Sequence, residues 1–286
     1  MSYRGLLAAD APARRAAQNS MLEVEFGQLS DRGRIREQNE DYLGYVLPAA
    51  PAEARTHGWL FALADGVGGQ QGGEVAARAA VESVLAGFRA AAGGEPQSTL
   101  LPRLVQAANA HVLETGLKIG PGGAAMATTL VACALRFDRV VVAHVGDSRC
   151  YLIRSGGAAA LTRDHTVASE QARLGLLSAQ EAAEVETRHV LSRSLGGDLF
   201  VGVETGEHQV LAGDVLALCS DGLYGAVPES DLARVVSRSP DLNAAARDLV
   251  ALANERDGSD NISVQLVRVR SVERVGMYRG RPYKLR

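Results

Sequence analysis

Five short stretches of the chain each place a carboxylate beside glycine, serine or asparagine. They are Asn39-Glu40-Asp41, Asp65-Gly66-Val67-Gly68-Gly69, Gly146-Asp147-Ser148-Arg149, Ser220-Asp221-Gly222 and Asp260-Asn261. Several border an apolar run with the composition of a strand, as residues 59–64 do before Asp65 and 215–220 before Asp221. Carboxylates carried by strand ends from distant segments can converge, and a converged oxygen set suits hard divalent cations such as Mg²⁺ and Mn²⁺. Glycine beside aspartate lets the backbone turn sharply and bring its own carbonyl close to an ion. Each stretch alone also reads as an ordinary turn or cap, which Asp-Gly commonly makes. Four such aspartates at strand edges are harder to assign to four unrelated turns. The charged run 31–41 adds Arg36, whose guanidinium suits bidentate binding of phosphate.

The elements that must position these residues can be read from periodicity. Period-2 or continuous apolar runs predict strands near 23–30, 42–47 and 58–64. Helical spacing then runs from Gly73 to about Arg89, is broken by Gly93, Gly94 and Pro96, and resumes from about Ser98 to Lys118. A glycine-rich loop, 120–123, precedes strands at 128–136, 139–145 and 149–154, with Asp138-Arg139 as the turn between the first two. Residues 166–185 are polar and helical in pattern, with Ser178 and Glu181 spaced as a capping box. A strand at 214–219, helices at 229–237 and 242–256, and a strand at 262–269 complete the order. Helices arrive in pairs and do not alternate with strands. That predicts an α+β fold with antiparallel sheets and segregated helical layers.

Composition removes several function classes. The 286 residues carry a net charge of −3 and a pI near 6.1, so no bulk basic field is available to hold nucleic acid or anionic lipid. The 47 % hydrophobic fraction is that of an ordinary globular protein, and no apolar run approaches the ~20 residues of a membrane span. Three cysteines, Cys133, Cys150 and Cys219, fall inside strand-like runs and read as reduced core thiols, which points to the cytoplasm. Residues 1–20 are rich in Ala and Arg without an apolar signal core. The expected organisation is a flexible extension over 1–22, one catalytic domain over 23–270 and a weakly patterned basic tail over 271–286.

The ordered set Arg36-x-x-Asn-Glu-Asp41, Asp65-Gly-x-Gly-Gly69, Thr128-Thr129, Gly146-Asp-Ser-Arg149, Asp164-His165, Ser220-Asp-Gly222 and Asp260-Asn261 resembles the protein phosphatase 2C family, in its bacterial stand-alone form, over about residues 24–268. The resemblance implies a central antiparallel β-sandwich flanked by pairs of helices in four layers. It also implies a metal-dependent serine/threonine protein phosphatase with two Mn²⁺ or Mg²⁺ ions and room for a third. By motif, Asp65 is the bridging ligand, Gly66 gives a carbonyl, and Asp221 and Asp260 complete the first metal. Glu40 and Asp41 hold waters of the second, and Asp147 with Asp221 makes the weaker third site. Arg36 binds phosphate and Asn261 supports its neighbour.

The resemblance further implies direct in-line attack by a metal-bridging hydroxide, with no phosphoenzyme and no catalytic thiol. Phosphorylated proteins are then the partners, including a Ser/Thr protein kinase that the enzyme opposes, and the chain acts as a monomer without nucleic acid or membrane. Residues 166–190 correspond to a variable, substrate-contacting flap. The chain departs from the pattern in places. Val67 stands where many eukaryotic members have His, which leaves the protonation of the leaving group unassigned, and Ala127 replaces a glycine. His165 reads as structural and His144 as a packed core residue. Two other readings remain open at this level: a phosphoprotein-binding pseudophosphatase and an enzyme acting on another phosphoester.

Overall fold

The computed structural model describes residues 21–67, 72–119, 126–239, 241–278 and 281–284. Of the extension expected over 1–22, residues 1–20 lie outside them, as do the Gly68-Gly69 turn and the 120–123 loop, while Leu22 is buried in the core.

Two five-stranded antiparallel sheets form the centre. The first runs β1 (Glu23–Asp31), β10 (Ile262–Ser271), β9 (Val215–Cys219), β6 (Arg149–Arg154), β7 (Gly157–Ala160). The second runs β2 (Asp41–Val46), β3 (Trp59–Asp65), β4 (Leu130–Arg136), β5 (Arg139–Val145), β8 (Glu204–Gln209). Strand period 2 divides the apolar residues between two faces. On β3, Leu60, Ala62 and Ala64 pack toward helices α2 (Gly73–Ala90) and α3 (Gln97–Ile119), while Phe61 and Leu63 enter the core between the sheets. On β9, Val215, Ala217 and Cys219 face α7 (Glu229–Arg238) and α8 (Leu242–Arg256), and Leu216 and Leu218 face the opposite sheet.

Three contiguous cores therefore separate four layers, as the paired helices predict. Alanines on both sides of the α2–sheet contact, Ala62 and Ala64 against Ala76, Ala77 and Ala80, keep that packing close. All three cysteines are free and fully buried, Cys133 and Cys150 between the sheets and Cys219 under the helices.

Local differences from the sequence reading have physical causes. The β4–β5 turn is Phe137-Asp138, with Phe137 at φ 61°, one residue earlier than the Asp-Arg pair suggests. Short helix α1 (Pro51–Thr56) starts with proline in its first turn, where no N–H is missed. Strand β8, Glu-Thr-Gly-Glu-His-Gln, carries no apolar alternation because it is an edge strand. The basic segment expected to be weakly patterned forms a hairpin, β11 (Val275–Tyr278) with β12 (Arg281–Lys284). It is tied back to α1 by an Arg55–Glu273 ion pair. The capping box at Ser178 and Glu181 is present and opens α5 (Ala179–Glu184), after α4 (Val167–Arg173).

Candidate active site

The five aspartates named from sequence meet at one rim of the sandwich, where strand ends of the two sheets come together. Asp41 opens β2 and lies directly across from Asp65 at the end of β3. Asp147 sits between β5 and β6, the crossing from one sheet to the other. Asp221 begins α6 (Asp221–Tyr224) after β9, and Asp260 precedes β10. A cavity of about 200 Å³ is lined by Arg36, Asp65, Gly66, Asp147, Asp221 and Asp260, with Glu40 and Asn261 also at its wall. Asp41 stands behind it, buried.

Short-range chemistry fixes each group. Thr129 accepts from the Asp65 N–H at 2.9 Å and its own N–H donates to the Asp65 carbonyl at 2.8 Å, while the Thr128 hydroxyl donates to that carbonyl at 2.8 Å. The Thr-Thr pair therefore holds the strand end that carries Asp65. Gly66 is required by close approach, since a side chain there would run into the backbone of Gly73 at the start of α2. Asn261 accepts from the Glu40 N–H at 2.8 Å and donates to the carbonyls of Arg32 and Gln38, both at 2.9 Å. It thus clamps the loop that presents Arg36. The half-exposed Arg36 guanidinium donates to Asp260 at 2.7 Å.

The electrostatics are those of a site built for cations. Burial raises the Asp65 carboxyl well above its usual range, with Asp41, Asp221, Asp147 and Asp260 adding to the shift. Asp41 is pushed up to about 7, by burial first and then by Asp221 and Asp260, against two serine hydrogen bonds that lower it. Asp147 is likewise pushed up to about 7 by burial and by Asp221. Asp221 is raised by burial and by Asp260, and is near enough to Asp65 to share a hydrogen bond. One oxygen of Asp41 accepts from Ser220 at 2.8 Å, while the other, Oδ1, is buried with no hydrogen-bond partner among the described residues. Crowded carboxylates that repel one another, an orphaned buried oxygen and an all-oxygen donor set match the needs of Mg²⁺ or Mn²⁺. The residues present therefore fit divalent ions.

Sequence reasoning missed several participants. Ser220 sits inside a named motif, but its hydroxyl bond to Asp41 crosses between the sheets and leaves no sequence signal. His189 and Leu191, at the end of the flap, line the cavity. His189 Nε2 accepts from Arg188 Nε at 2.7 Å. Arg149 does not pair with Asp147. It donates twice to Asp164, at 2.8 and 2.7 Å, and once to the Tyr151 hydroxyl at 2.8 Å, and lies 3.6 Å over the Tyr224 ring. It thereby ties the Asp147 turn to α6 and to the base of the flap.

His165 is fully buried and stacks on His144 at 4.6 Å, and burial pushes it down to about 4. Its Nδ1 accepts from the Gly146 N–H at 3.2 Å, and its Nε2 faces Glu204 at 3.3 Å. Ligand atoms of His144, His165 and Glu204 lie within 4.8 Å of one another. His144 Nε2 is spent on the Arg163 carbonyl at 2.8 Å, and His165 Nδ1 on the Gly146 N–H. These bonds tie the Gly146 turn and the Arg163 carbonyl to Glu204 at the start of β8, and they engage ring nitrogens that an ion would need.

Comparison with known proteins identifies the family and the fold. The profile of protein phosphatase 2C matches residues 37–266. The serine/threonine phosphatase stp of Listeria monocytogenes is 35 % identical over 250 residues, 86 % of this chain and 95 % of that protein. The serine/threonine protein phosphatase PstP of Mycobacterium tuberculosis is 32 % identical, with 85 % of this chain covering 44 % of it. The S. agalactiae serine/threonine phosphatase superposes with a TM-score of 0.77 at 30 % identity, covering 86 % of this chain and 100 % of that one. The catalytic domain of PstP in complex with two manganese ions gives 0.72 at 30 % identity, covering 87 % and 99 %. A profile that spans most of the chain, a relative of matching length and a shared fold lead to one conclusion: this chain belongs to the protein phosphatase 2C family and is a protein phosphatase.

Proposed function

We propose that the enzyme hydrolyses phosphoserine and phosphothreonine in proteins by direct attack of water on phosphorus, with two Mn²⁺ or Mg²⁺ ions and room for a third at Asp147 and Asp221. Asp65 would bridge the two ions, Gly66 would add its carbonyl, and Asp221 and Asp260 would complete one ion's set. Glu40 and Asp41 would hold waters of the other. When bound, such ions supply a water acidified toward neutral pH and positive charge for the phosphoryl oxygens.

The chain's own residues do the rest. Arg36 lies half exposed at the cavity wall, anchored on one side by Asp260, and has N–H groups left over for the phosphoryl oxygens. Thr128 and Thr129 hold the backbone at Asp65, and Asn261 holds the Arg36 loop, so both sides of the reacting phosphorus are fixed in advance. As the new oxygen–phosphorus bond forms, the bond to the serine or threonine oxygen breaks, and that oxygen takes a proton from water in the open cleft. No cysteine lines the cavity, and all three thiols are buried.

The observation that carries the reading is the convergence of five aspartates, most of them held above their usual range, around a cavity that Arg36 shares. We place the enzyme in the cytoplasm as a monomer, opposing a Ser/Thr protein kinase. The test is hydrolysis of p-nitrophenyl phosphate and of a phosphothreonine peptide with Mn²⁺, with Mg²⁺ and with EDTA. Turnover of both that needs the ion supports the reading. Well-folded protein inert toward the peptide under every ion would overturn it.

A further inference from the structure

The segment that follows the flap carries a feature the catalytic chemistry does not use. Leu191 lines the acidic cavity and also a neighbouring groove of about 200 Å³, walled by Arg193, Asp198, Phe200 and Val201. Cavity and groove thus meet at one residue. The loop forming the groove is pinned from beneath by two side chains of α3. Fully buried Asn109 donates to the carbonyls of Asp198 and Leu199, at 2.9 and 3.2 Å, and accepts from the Gly196 N–H at 2.9 Å. Gln106 donates to the Leu199 carbonyl at 3.1 Å and accepts from the Val201 N–H at 3.3 Å. Gly196 holds a φ of 89°, and a side chain there would strike the Met126 carbonyl, so the turn is set by sequence as well as by hydrogen bonds.

This rigid loop points two large apolar side chains into water, Leu199 at 63 % exposure and Phe200 at 78 %. Fixing a backbone so firmly while leaving its apolar side chains unburied gains the fold little. It does make a pre-ordered anchor, because an aromatic already held in place loses little entropy when a partner covers it.

We propose that the Leu199–Phe200 shelf and the groove beside it form a substrate subsite, which takes an apolar side chain of the phosphoprotein a few residues from the phosphorylated serine or threonine. This rests on the protein phosphatase reading above. The occupant follows from continuity: a chain whose phosphate sits among the aspartates passes Leu191 on its way out and meets Phe200. The groove's volume suits one side chain. Arg193 is already committed to Glu170 at 2.8 Å, so the subsite does not call for an acidic residue. Ser192 and Ser194 line the groove, and their hydroxyls can hydrogen-bond an extended segment.

The experiment uses the full chain with Mn²⁺ and a set of phosphothreonine peptides. In a Gly/Ser background, one leucine is walked through about four positions on each side, the reach of an extended chain across the groove. The wild type should prefer the peptide with leucine in register by about tenfold in kcat/KM, mainly through KM, a factor equal to about 1.4 kcal/mol. Phe200→Ser and Leu199→Ser should erase the preference, Phe200→Tyr should keep most of it, and p-nitrophenyl phosphate, too small to reach the groove, should change by no more than about twofold.

No leucine preference at any position in the wild type would overturn the subsite. So would an equal loss on every substrate in Phe200→Ser, which would make the loop a support for the catalytic cleft. A shift from dimer to monomer in that variant, with peptide preference unchanged, would give the shelf to a second copy of the chain. Hydrolysis of the aryl phosphate with no phosphopeptide turned over at all would remove the protein phosphatase reading itself, and the subsite with it.

Discussion

Replacing Asp41 with asparagine should make the metal-free protein more stable while harming the enzyme. The carboxyl is buried, one oxygen has no hydrogen-bond partner among the described residues, and its folded pKa stands near 7 against an ordinary 3.8. A raised carboxylate pKa means that the folded state binds the proton more tightly than the unfolded chain. Stability is therefore full below the unfolded value and is lost as pH rises toward the folded one. A shift of about 3 units corresponds to roughly 4 kcal/mol once pH exceeds 7. Part of that belongs to repulsion shared with Asp65, Asp221 and Asp260, so a single neutral replacement should recover about 2–4 kcal/mol.

For a domain of this size that is a rise in Tm of roughly 5–10 °C. The assay is calorimetry of wild type and Asp41→Asn in EDTA at pH 4, 6 and 8. The gain should be small at pH 4, grow through 6 and level off above 7. Excess Mn²⁺ should narrow or reverse it, because the wild type binds the ion and the variant binds it less well. A variant that melts lower in EDTA at pH 8, or gains equally at all three pH values, would refute the view of Asp41 as a charge held in place for a cation.

Other expectations rest on the same geometry. Asp65→Asn should abolish turnover of p-nitrophenyl phosphate, by at least about a hundredfold, while circular dichroism shows a native fold; near wild-type turnover would remove Asp65 from the centre. Arg149→Lys keeps the charge but loses the bidentate pairing with Asp164 and the stack on Tyr224. It should cost about 2 kcal/mol by urea denaturation, and an unchanged midpoint would show that the guanidinium fork does not matter. His189→Ala, at an exposed position on the cavity wall, should leave Tm within about 2 °C and lower phosphopeptide turnover several-fold more than aryl phosphate turnover. Equal effects on both substrates would show that it does not meet the protein substrate.

Much of the site is legible along the chain because its aspartates stand at or near the ends of strands. Residues 59–64 and 215–219 are continuous apolar runs that must stop at a polar residue, and an aspartate of the cleft stands at the stop, Asp65, or one residue beyond it, Asp221 after Ser220. Helix pairing told the layers apart for a similar reason, since two successive helices cannot both be crossovers of a parallel sheet. What could not be read depends on partners far apart in sequence. Ser220 meets Asp41 across 179 positions, and Asn261 reaches Glu40 across 221. Arg149 stands two residues from Asp147 in sequence, yet its guanidinium pairs with Asp164, fifteen positions on. Strand β8 and the hairpin after Ser271 escaped notice because edge strands and small ribbons bury too little to need an apolar alternation.

The placement of the thiols has a consequence for when the enzyme can work. Cys133, Cys150 and Cys219 are fully buried, and burial lifts all three, Cys219 to about 12, so almost no thiolate exists at neutral pH. Peroxide and alkylating agents attack thiolates, and a phosphatase whose nucleophile is sulfur falls silent when they appear. Here the sulfur is buried, and the proposed chemistry of the cleft uses oxygen ligands and no thiol. The enzyme should keep removing phosphate under oxidation that disables thiol-dependent dephosphorylation, with its activity following the supply of divalent ions instead of the redox state around it.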